Sequence, residues 1–592
     1  MNSKLLFINI MLLGVTVAAC SCQKERGYTG FVDPDSITKE ITLSVSTDKA
    51  CYSPGETIRF TATTNPVGSG THVRYLHLGK TLYDELLSST EWTWTAPSED
   101  FRGYMAELYQ STSQGDVILA TVGIDVSSDW SKFPRYGFLS SYGSMSASAC
   151  SAVISNLSRY HINGVQFQDW HWKHHWPLGG TRENPLQTYK DIASRTTSLA
   201  TLKNYISAIH SFRMKAIFYN LCFGALDDAA ADGVSEKWYI FSDASHKNKD
   251  LHALSAPFKS SIYLVNPGNT EWQAYLGAKT DDVYAVLDFD GYQIDQLGYR
   301  GTRYDYNGNK VDLADGYGSF IKAMKKLQPS KDLIMNAVSG YGAENIMRTG
   351  DMCFAYDEMW ANEPNFSDLR THIEANDKYS GGKCKTVFAA YMNHSKASSG
   401  GMFNTPGVLL TNAVMFALGG SHLEMGEHML CNEYFPNSSL GMSADLKEAL
   451  IHYYDFLTAY ENLLRDGGEL NDVSVASSDG KVSFKNWAPE TGKVVTVGRK
   501  VGKRQMVHLL NFLTADSLSW RDLDGTMPAP QTVENAGVRI AVDGNVEGVW
   551  IASPDIDGGA CRRVANYTCD GSTLSLTVPS LKYWDMIVIE YE

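Results

Sequence analysis

Basic residues are in short supply. Lys and Arg number 51 against 66 Asp and Glu, a formal net charge of -15 at pH 7. That balance repels a polyanion, so nucleic acid is not an expected partner and a neutral substrate suits the chain better. Cys-x-x-Cys pairs are missing among the 10 cysteines, which removes the usual zinc frameworks. The chain has no phosphate loop, dinucleotide fingerprint or His-Glu-x-x-His helix, and no Gly-x-Ser-x-Gly at a strand-to-helix turn. Nucleotide, nicotinamide and serine-hydrolase chemistries are therefore not indicated, and neither a metal nor a cofactor is called for. Beyond the first 19 residues no segment is long and apolar enough to span a membrane. What the chain does have is 43% hydrophobic residues, 13 Trp and 32 Tyr, enough for sizeable cores and for aromatic faces that stack on sugar rings.

The N-terminus carries a positive Lys4 and an apolar run from Leu5 to Ala19, the pattern of a secretory signal over residues 1–19. It ends Val17-Ala18-Ala19-Cys20, which resembles a bacterial lipobox. Cys20 is then the lipidated first residue of the mature chain, and the polar stretch 21–37 completes a tether over 20–37. On that reading the protein is expected in the cell envelope, lipid-anchored to the membrane, on the outer-membrane surface or in the periplasm of a Gram-negative-type bacterium; the other reading is an ordinary cleavage site with an incidental Cys. Cys561 and Cys569 are close enough in sequence for a bridge across a hairpin in such an oxidising compartment. Cys222, Cys353 and Cys384 sit in apolar runs and read as buried free thiols.

At 592 residues the chain exceeds one ordinary domain. Residues 38–130 show short alternating runs, such as Thr57-Ile58-Arg59-Phe60-Thr61-Ala62, separated by Gly/Pro turns, as in an immunoglobulin-like β-sandwich. From 131 to 466 short apolar runs alternate with amphipathic stretches, which argues α/β. Eight strands are expected there: residues 136–139, 164–170, 216–220, 291–295, 333–338, 353–358, 386–391 and 421–424. Eight strands with helices between them predict a (β/α)8 TIM barrel, with the long loop 223–288 overhanging its active face. Residues 467–592 return to β and predict a C-terminal antiparallel β-sandwich. The expected fold class is thus multidomain, a central barrel with a sandwich on either side.

Several barrel strands end in a polar group: Asp169, Asn220, Asp295, Asn336, Glu358 and Glu424. A carboxylate at the end of a buried strand is costly without a partner, and several on one rim point to a site. Asp295 ends a strand at a glycine turn, with Tyr292, Gln293 and Gln296 nearby to hydrogen-bond its charged form. Glu358 lies between Tyr356 and Trp360, an apolar setting that raises a carboxyl pKa. A nucleophilic carboxylate facing a protonated one is the equipment of a glycosidase. The run Gln168-Asp169-Trp170-His171-Trp172-Lys173-His174-His175-Trp176 is the densest polar-aromatic cluster in the chain. It reads as a sugar subsite using Gln168, Trp170, His174 and His175, or as a packed loop of satisfied histidines. His171 and His175 have i,i+4 spacing, but the run follows a strand, ends at Pro177 and lacks the accompanying Glu, so it is not read as a zinc site. The stretch 419–428 supplies His422 and Glu424 as a further wall, while Tyr219, Gln293, Asn336, Trp360 and Tyr391 are expected to contact substrate.

Phe289-Asp290-Gly291-Tyr292-Gln293-Ile294-Asp295-Gln296-Leu297-Gly298 resembles the nucleophile motif of glycoside hydrolase family 66, the dextranases and cycloisomaltooligosaccharide glucanotransferases. Residues 161–175 are similar to that family's second-strand motif, and Tyr356-Asp357-Glu358-Met359-Trp360 to its acid/base motif. Residues 389–392, 419–436 and 453–465 match in order as well. The resemblance implies endo-hydrolysis of α-1,6-glucan (dextran, isomaltooligosaccharides) with retention, Asp295 as nucleophile, Glu358 as acid/base and Asp169 as a further essential acidic residue. Cyclising members carry a carbohydrate-binding module inside the barrel, whereas here only a short Ser/Gly-rich link joins Tyr391 to Asn404. That favours a dextranase over a ring-forming transglycosylase. A non-catalytic glucan-binding lipoprotein is the third reading. The chain departs from the family pattern at Gln168 before Asp169, and at Gln296-Leu297 after Asp295.

Overall fold

The computed structural model describes residues 43–63 and 70–592, so the expected signal, tether and lipidated Cys20 lie outside the described residues. The first strands alternate as their sequence does. Thr57–Ala62 buries every second residue, and it pairs with Val45–Thr47 on one side and Glu91–Thr95 on the other. A second antiparallel sheet is built from Thr71–His77, Lys80–Leu86, Arg102–Thr112 and Gly115–Val126. Both sheets turn apolar residues into one core, with Ile58, Phe60 and Trp94 meeting Tyr75, Tyr104 and Val122.

All eight strands expected between 131 and 466 are present: β1 Tyr136–Leu139, β2 Gly164–Phe167, β3 Lys215–Leu221, β4 Gly291–Asp295, β5 Asp332–Met335, β6 Ala355–Met359, β7 Thr386–Ala390 and β8 Ser421–His422. β1 to β5 form one parallel sheet in sequence order, and β6, β7 and β8 form a second. Parallel bridges Leu333↔Met352 and Asn336↔Tyr356 carry β5 on to β6, while Phe138↔Gly426 returns the residues after β8 to β1. Each strand therefore neighbours the next, and the last comes back to the first.

Helices lie between the strands: α1 Ala147–Arg159, α2 Leu199–Ser211, α3 Thr270–Val286, α4 Leu313–Leu327, α5 Ala343–Met347, α6 Phe366–Ser380, α7 Thr405–Ala417 and α8 Ala444–Ala459. Their starts follow from capping chemistry. Asn269 accepts from the backbone of Glu271 and Trp272 to open α3, and Asp312 does the same for α4. α4 then buries Leu313, Tyr317, Phe320, Ile321 and Met324 along one stripe.

The N-terminal sheet sits directly on α8. A Cβ at Gly123 would lie 2.5 Å from the Asp455 carbonyl oxygen, so only glycine permits this approach. The same junction buries Arg135, which donates to Asp125 at 2.5 Å and Glu461 at 3.2 Å.

Beyond 466 the strands are antiparallel again. Val494–Val501, Arg504–Asn511, Trp584–Tyr591 and Val546–Ala552 form one sheet, and Val533–Ala541 with Thr573–Leu581 form the heart of another. Val507, Leu509 and Ile587 of the first meet Val538, Ile540 and Leu576 of the second in one core. The expected bridge between Cys561 and Cys569 is absent: both thiols are free. Cys561 lies beside Glu107 at the N-terminal sheet, whereas Cys569 is exposed on the strand Tyr567–Asp570.

Candidate active site

The C-terminal ends of β3 to β7 bring one group of polar side chains together. Asp295 is the last residue of β4, held in register by the Cys222 N–H on its carbonyl at 3.0 Å. Its Oδ2 accepts the Tyr219 hydroxyl of β3 at 2.8 Å. Its Oδ1 accepts Nδ2 of Asn336, the residue after β5, at 2.9 Å. The same Nδ2 donates to Glu358 Oε2 of β6, also at 2.9 Å. Glu358 Oε1 accepts the Tyr391 hydroxyl, which follows β7, at 2.5 Å. One amide thus ties two carboxyls, and each carboxyl has its own tyrosine.

Both carboxyls titrate above the ordinary range. Removal from water raises Glu358 to about 7, and the neighbouring Asp295 charge pushes the same way against the bonds from Tyr391 and Asn336. Asp295 is also raised by burial, opposed by Asn336, Tyr219 and the Gln296 backbone. Asp169 lies just beyond β2 in a left-handed turn at φ 51°. Burial lifts it to about 7, although Arg195 pulls it down. Its Oδ1 accepts the Gln168 amide at 3.3 Å, and Gln168 accepts from Gln166 at 2.5 Å.

These groups line a cavity of about 760 Å³. Of the residues expected at a site, Gln168, Asp169, His174, Tyr219, Gln293, Asp295, Asn336, Glu358, Trp360 and Tyr391 share its wall. Gln166 Oε1, Gln293 Oε1 and Asn336 Oδ1 are buried there without partners, acceptors suited to hydroxyl donors. His174 is neutral, since burial takes its pKa down to about 3.

Other expected contacts lie behind the wall. Trp170 is fully buried against Phe218 and Phe289, and its indole donates to the Tyr219 carbonyl at 3.1 Å. Asn220 spends its side chain on His174, donating to its carbonyl at 2.8 Å and facing its Nδ1 at 3.1 Å. His175 accepts the Leu226 N–H on Nδ1 at 3.3 Å, so its Nε2 carries the proton toward Asp232 at 2.9 Å. His422 directs its two ring nitrogens at Asn412 Oδ1 and the Ala390 carbonyl, both at 2.8 Å. Glu424 accepts from Asn412 at 2.7 Å and Tyr454 at 3.0 Å. Each of these side chains already has protein partners, although Glu424 Oε2 accepts no hydrogen bond and faces His422 Nδ1 at 3.2 Å.

His175, Asp228 and Asp232 converge closely enough to suggest a cation site. Lys173 Nζ already sits among them, 2.6 Å from a carboxylate oxygen of each aspartate. The Lys173 ammonium bridges both aspartates and the neutral His175 donates its Nε2–H to Asp232, so the cluster is held together by its own side chains. His171 and His175 do not act together, because His171 pairs with His174 at 2.9 Å.

The cavity also has walls that residue chemistry did not single out. His252, Leu254, Phe258 and Ile262 come from the long loop after β3, which overhangs the mouth as its length suggests. Tyr299 and Tyr341 follow β4 and β5 and pack edge to face, ring centroids 5.5 Å apart. Tyr299 is 73% exposed and shapes the rim. A Tyr beside the Gly298 turn after β4 and a Tyr inside Gly340-Tyr341-Gly342 were the available signals.

Known proteins share this arrangement of sequence. A cycloisomaltooligosaccharide glucanotransferase of Niallia circulans is 28% identical over 709 aligned residues, spanning 92% of this chain and 71% of that enzyme. A dextranase of Streptococcus salivarius is 24% identical across 82% of this chain and 67% of its own. The crystal structure of a Paenibacillus cycloisomaltooligosaccharide glucanotransferase complexed with cycloisomaltoheptaose superposes with a TM-score of 0.83 at 26% identity, covering 92% of this chain and 100% of that one. The sequence model of glycosyl hydrolase family 66 matches residues 47–588, nearly the whole chain, and the protein belongs to that family.

Proposed function

We propose that the chain is a retaining endo-glycosidase acting on the α-1,6 linkages of dextran, with Asp295 as nucleophile and Glu358 as general acid and base. We read the ring of parallel strands as a (β/α)8 barrel over 131–466, between an immunoglobulin-like sandwich (38–130) and a C-terminal sandwich (467–592). The observation that carries the catalytic reading is the Asn336 amide, 2.9 Å from an oxygen of each carboxyl. Those oxygens are no farther apart than twice that distance. This suits the ~5–5.5 Å spacing of a retaining pair better than the ~6.5–9.5 Å of an inverting one.

In the first step an Asp295 oxygen bonds to the anomeric carbon. The glycosidic C–O bond breaks, and the departing oxygen takes the Glu358 proton. In the second step Glu358, now ionised, takes a proton from water as the water oxygen attacks that carbon, and Asp295 leaves as carboxylate. A Glu358 raised to about 7 holds its proton for the first step. Asp169, buried and facing the same cavity, lies near the reacting sugar. The unpartnered Gln166, Gln293 and Asn336 oxygens take substrate hydroxyls. The names of the relatives, a dextranase and isomaltooligosaccharide-cyclising enzymes, support an α-1,6-glucan as substrate.

Asp295→Ala should abolish release of reducing sugar from dextran, and Glu358→Gln should slow it by ~10²–10⁴-fold, with unchanged circular dichroism. Full activity in either variant removes that residue from the mechanism. The 28% identity with a cyclising enzyme over 92% of this chain favours transglycosylation as a second reading. Chromatography of dextran digests decides: linear isomaltooligosaccharides support the hydrolase, and rings as the main product replace it.

A further inference from the structure

Residues 517–527 leave the C-terminal sheets after the strand Arg504–Asn511 and lie across two loops at the mouth of the parallel strands. The first loop follows β6 and begins at Trp360. The Leu518 carbonyl accepts the Phe366 N–H at 3.0 Å, and the Pro364 carbonyl accepts the Trp520 N–H at 3.0 Å. The fully buried Trp520 indole donates to the Glu363 carbonyl at 2.7 Å. The second loop follows β7 and begins at Tyr391. Asn393 N–H donates to the Arg521 carbonyl at 3.0 Å, and Asn393 Nδ2 donates to the Asp522 carbonyl at 2.6 Å. Asp522 Oδ2 accepts the Asn404 amide at 2.7 Å, while Oδ1 closes its own turn by accepting Thr526 and Met527 N–H. Both Asn393 and Asp522 occupy the left-handed region, at φ 52° and 39°. The bonds between the two turns help offset the cost of that conformation.

The two loops meet again at the acid. Trp360 and Tyr391 pack edge to face with centroids 5.9 Å apart, and Tyr391 donates to Glu358. We propose that the strap 517–527, through Asp522 and Trp520, is a positioning element for Glu358: it pins the turns that carry Tyr391 and Trp360 and so keeps the acid/base group aimed at the leaving oxygen. This rests on Glu358 serving as acid and base. It gives the C-terminal region a part in catalysis, with no residue of its own touching substrate.

The test compares two substrates in the full-length protein. Dextran cleavage needs a proton on the leaving oxygen. An isomaltosyl fluoride does not, and added azide attacks the glycosyl-enzyme without a general base. Asp522→Ala should lower kcat on dextran about 10-fold or more, part of the ~10²–10⁴-fold of general acid–base catalysis, with KM moved less than about 2-fold. Its rate on the fluoride with azide should stay near wild type. The alkaline limb of the pH profile should move to higher pH, because the Tyr391 bond that holds Glu358 down is weakened. Asp522→Asn, which keeps the acceptor for the 522–527 turn, should recover much of the dextran rate. Asp522→Ala and Tyr391→Phe should be non-additive in kcat. If Asp522→Ala does not fold by circular dichroism, Asn404→Ala, which removes one donor to Asp522, takes its place. Equal losses on both substrates, additivity with Tyr391→Phe, or an unmoved alkaline limb overturns the proposal. Glu358→Gln is the control: if it keeps its dextran rate, the assignment of the acid fails instead.

Discussion

The Asn336 amide is the most exposed point of the catalytic reading, and Asn336→Ala tests it. Nδ2 donates 2.9 Å bonds to both carboxyls, while Oδ1 is unpartnered at the cavity. A hydrogen bond to a charged group contributes about 1.5–3 kcal/mol. Only the part that orients the pair in the transition state counts toward rate, and each ~1.4 kcal/mol is tenfold. A fall of roughly 10–100-fold in kcat/KM follows, carried by kcat. The pH profile has a sign as well. In the wild type the alkaline limb should lie near the Glu358 value of about 7, since the acid is protonated below it and ionised above. On the proposed mechanism the acid limb belongs to Asp295, which must be ionised to attack and whose value burial has raised above that of an ordinary aspartate. Asn336 holds both groups down, so its loss moves both limbs to higher pH. The assay is initial reducing-sugar release from dextran across pH 4–9 with kcat and KM separated. If KM alone rises and both limbs stay in place, Asn336 binds substrate through Oδ1 and does not organise the pair.

Two further perturbations reach different links of the chain from sequence to function. Tyr299→Ala should raise KM for long dextran more than it lowers kcat, because the ring stands 73% exposed at the rim beside Tyr341 and bonds neither carboxyl; an unchanged KM removes it from the substrate path. Asp455→Asn should destabilise the fold by about 2–3 kcal/mol, read from denaturant midpoints, because it removes the charge paired with the half-buried Arg159. Asp455 accepts from Arg159 on both oxygens, from His161 at 2.6 Å and from the Gly123 N–H at 2.9 Å, joining α8 to α1 and to the N-terminal sheet. Burial works against its charge, but Arg159 and His161 prevail and hold it at about 2, below the ~3.9 of an unfolded chain. Its contribution is therefore full above about pH 4 and fades as pH falls toward 2, so the stability gap between the variant and wild type should narrow on acidification.

The parallel strands could be read from sequence because each is a short apolar run closed by a turn residue, and burial on both faces makes such runs continuous. Gly291–Asp295 shows the case fully: the carboxylate ends the strand, and the structure turns it to the same cavity as Glu358 and Asn336. Side-chain direction beyond a strand end was not readable in the same way. Alternation fixes which residues share a face, not which face looks at the cavity, and it lapses when the strand stops. Trp170 follows Asp169 in its left-handed turn and points into the core at Phe218 and Phe289. β8 is two residues long, so no run of alternation places Glu424, which faces Asn412 of α7 instead. Dense chemistry in the sequence between 168 and 176 therefore split in space: Gln168, Asp169 and His174 reach the cavity, and Trp170 and His175 hold the loop that carries them.

The strap was out of reach for a stronger reason. Its contacts join Asp522 to Asn404 across 118 positions and to Asn393 across 129, and no periodicity or local motif encodes a pairing at that range. Yet the two kinds of information bear on one group. That Glu358 should keep a proton is readable from its aromatic neighbours. How far it keeps it depends on the Tyr391 hydroxyl at 2.5 Å, hence on where the turn after β7 sits, hence on a segment well over a hundred residues downstream. The identity of a catalytic pair is a local property of strand ends, whereas its tuning is a property of whatever packs behind the loops. Changes far from the cavity in 517–527 should accordingly act on the pH profile before they act on binding.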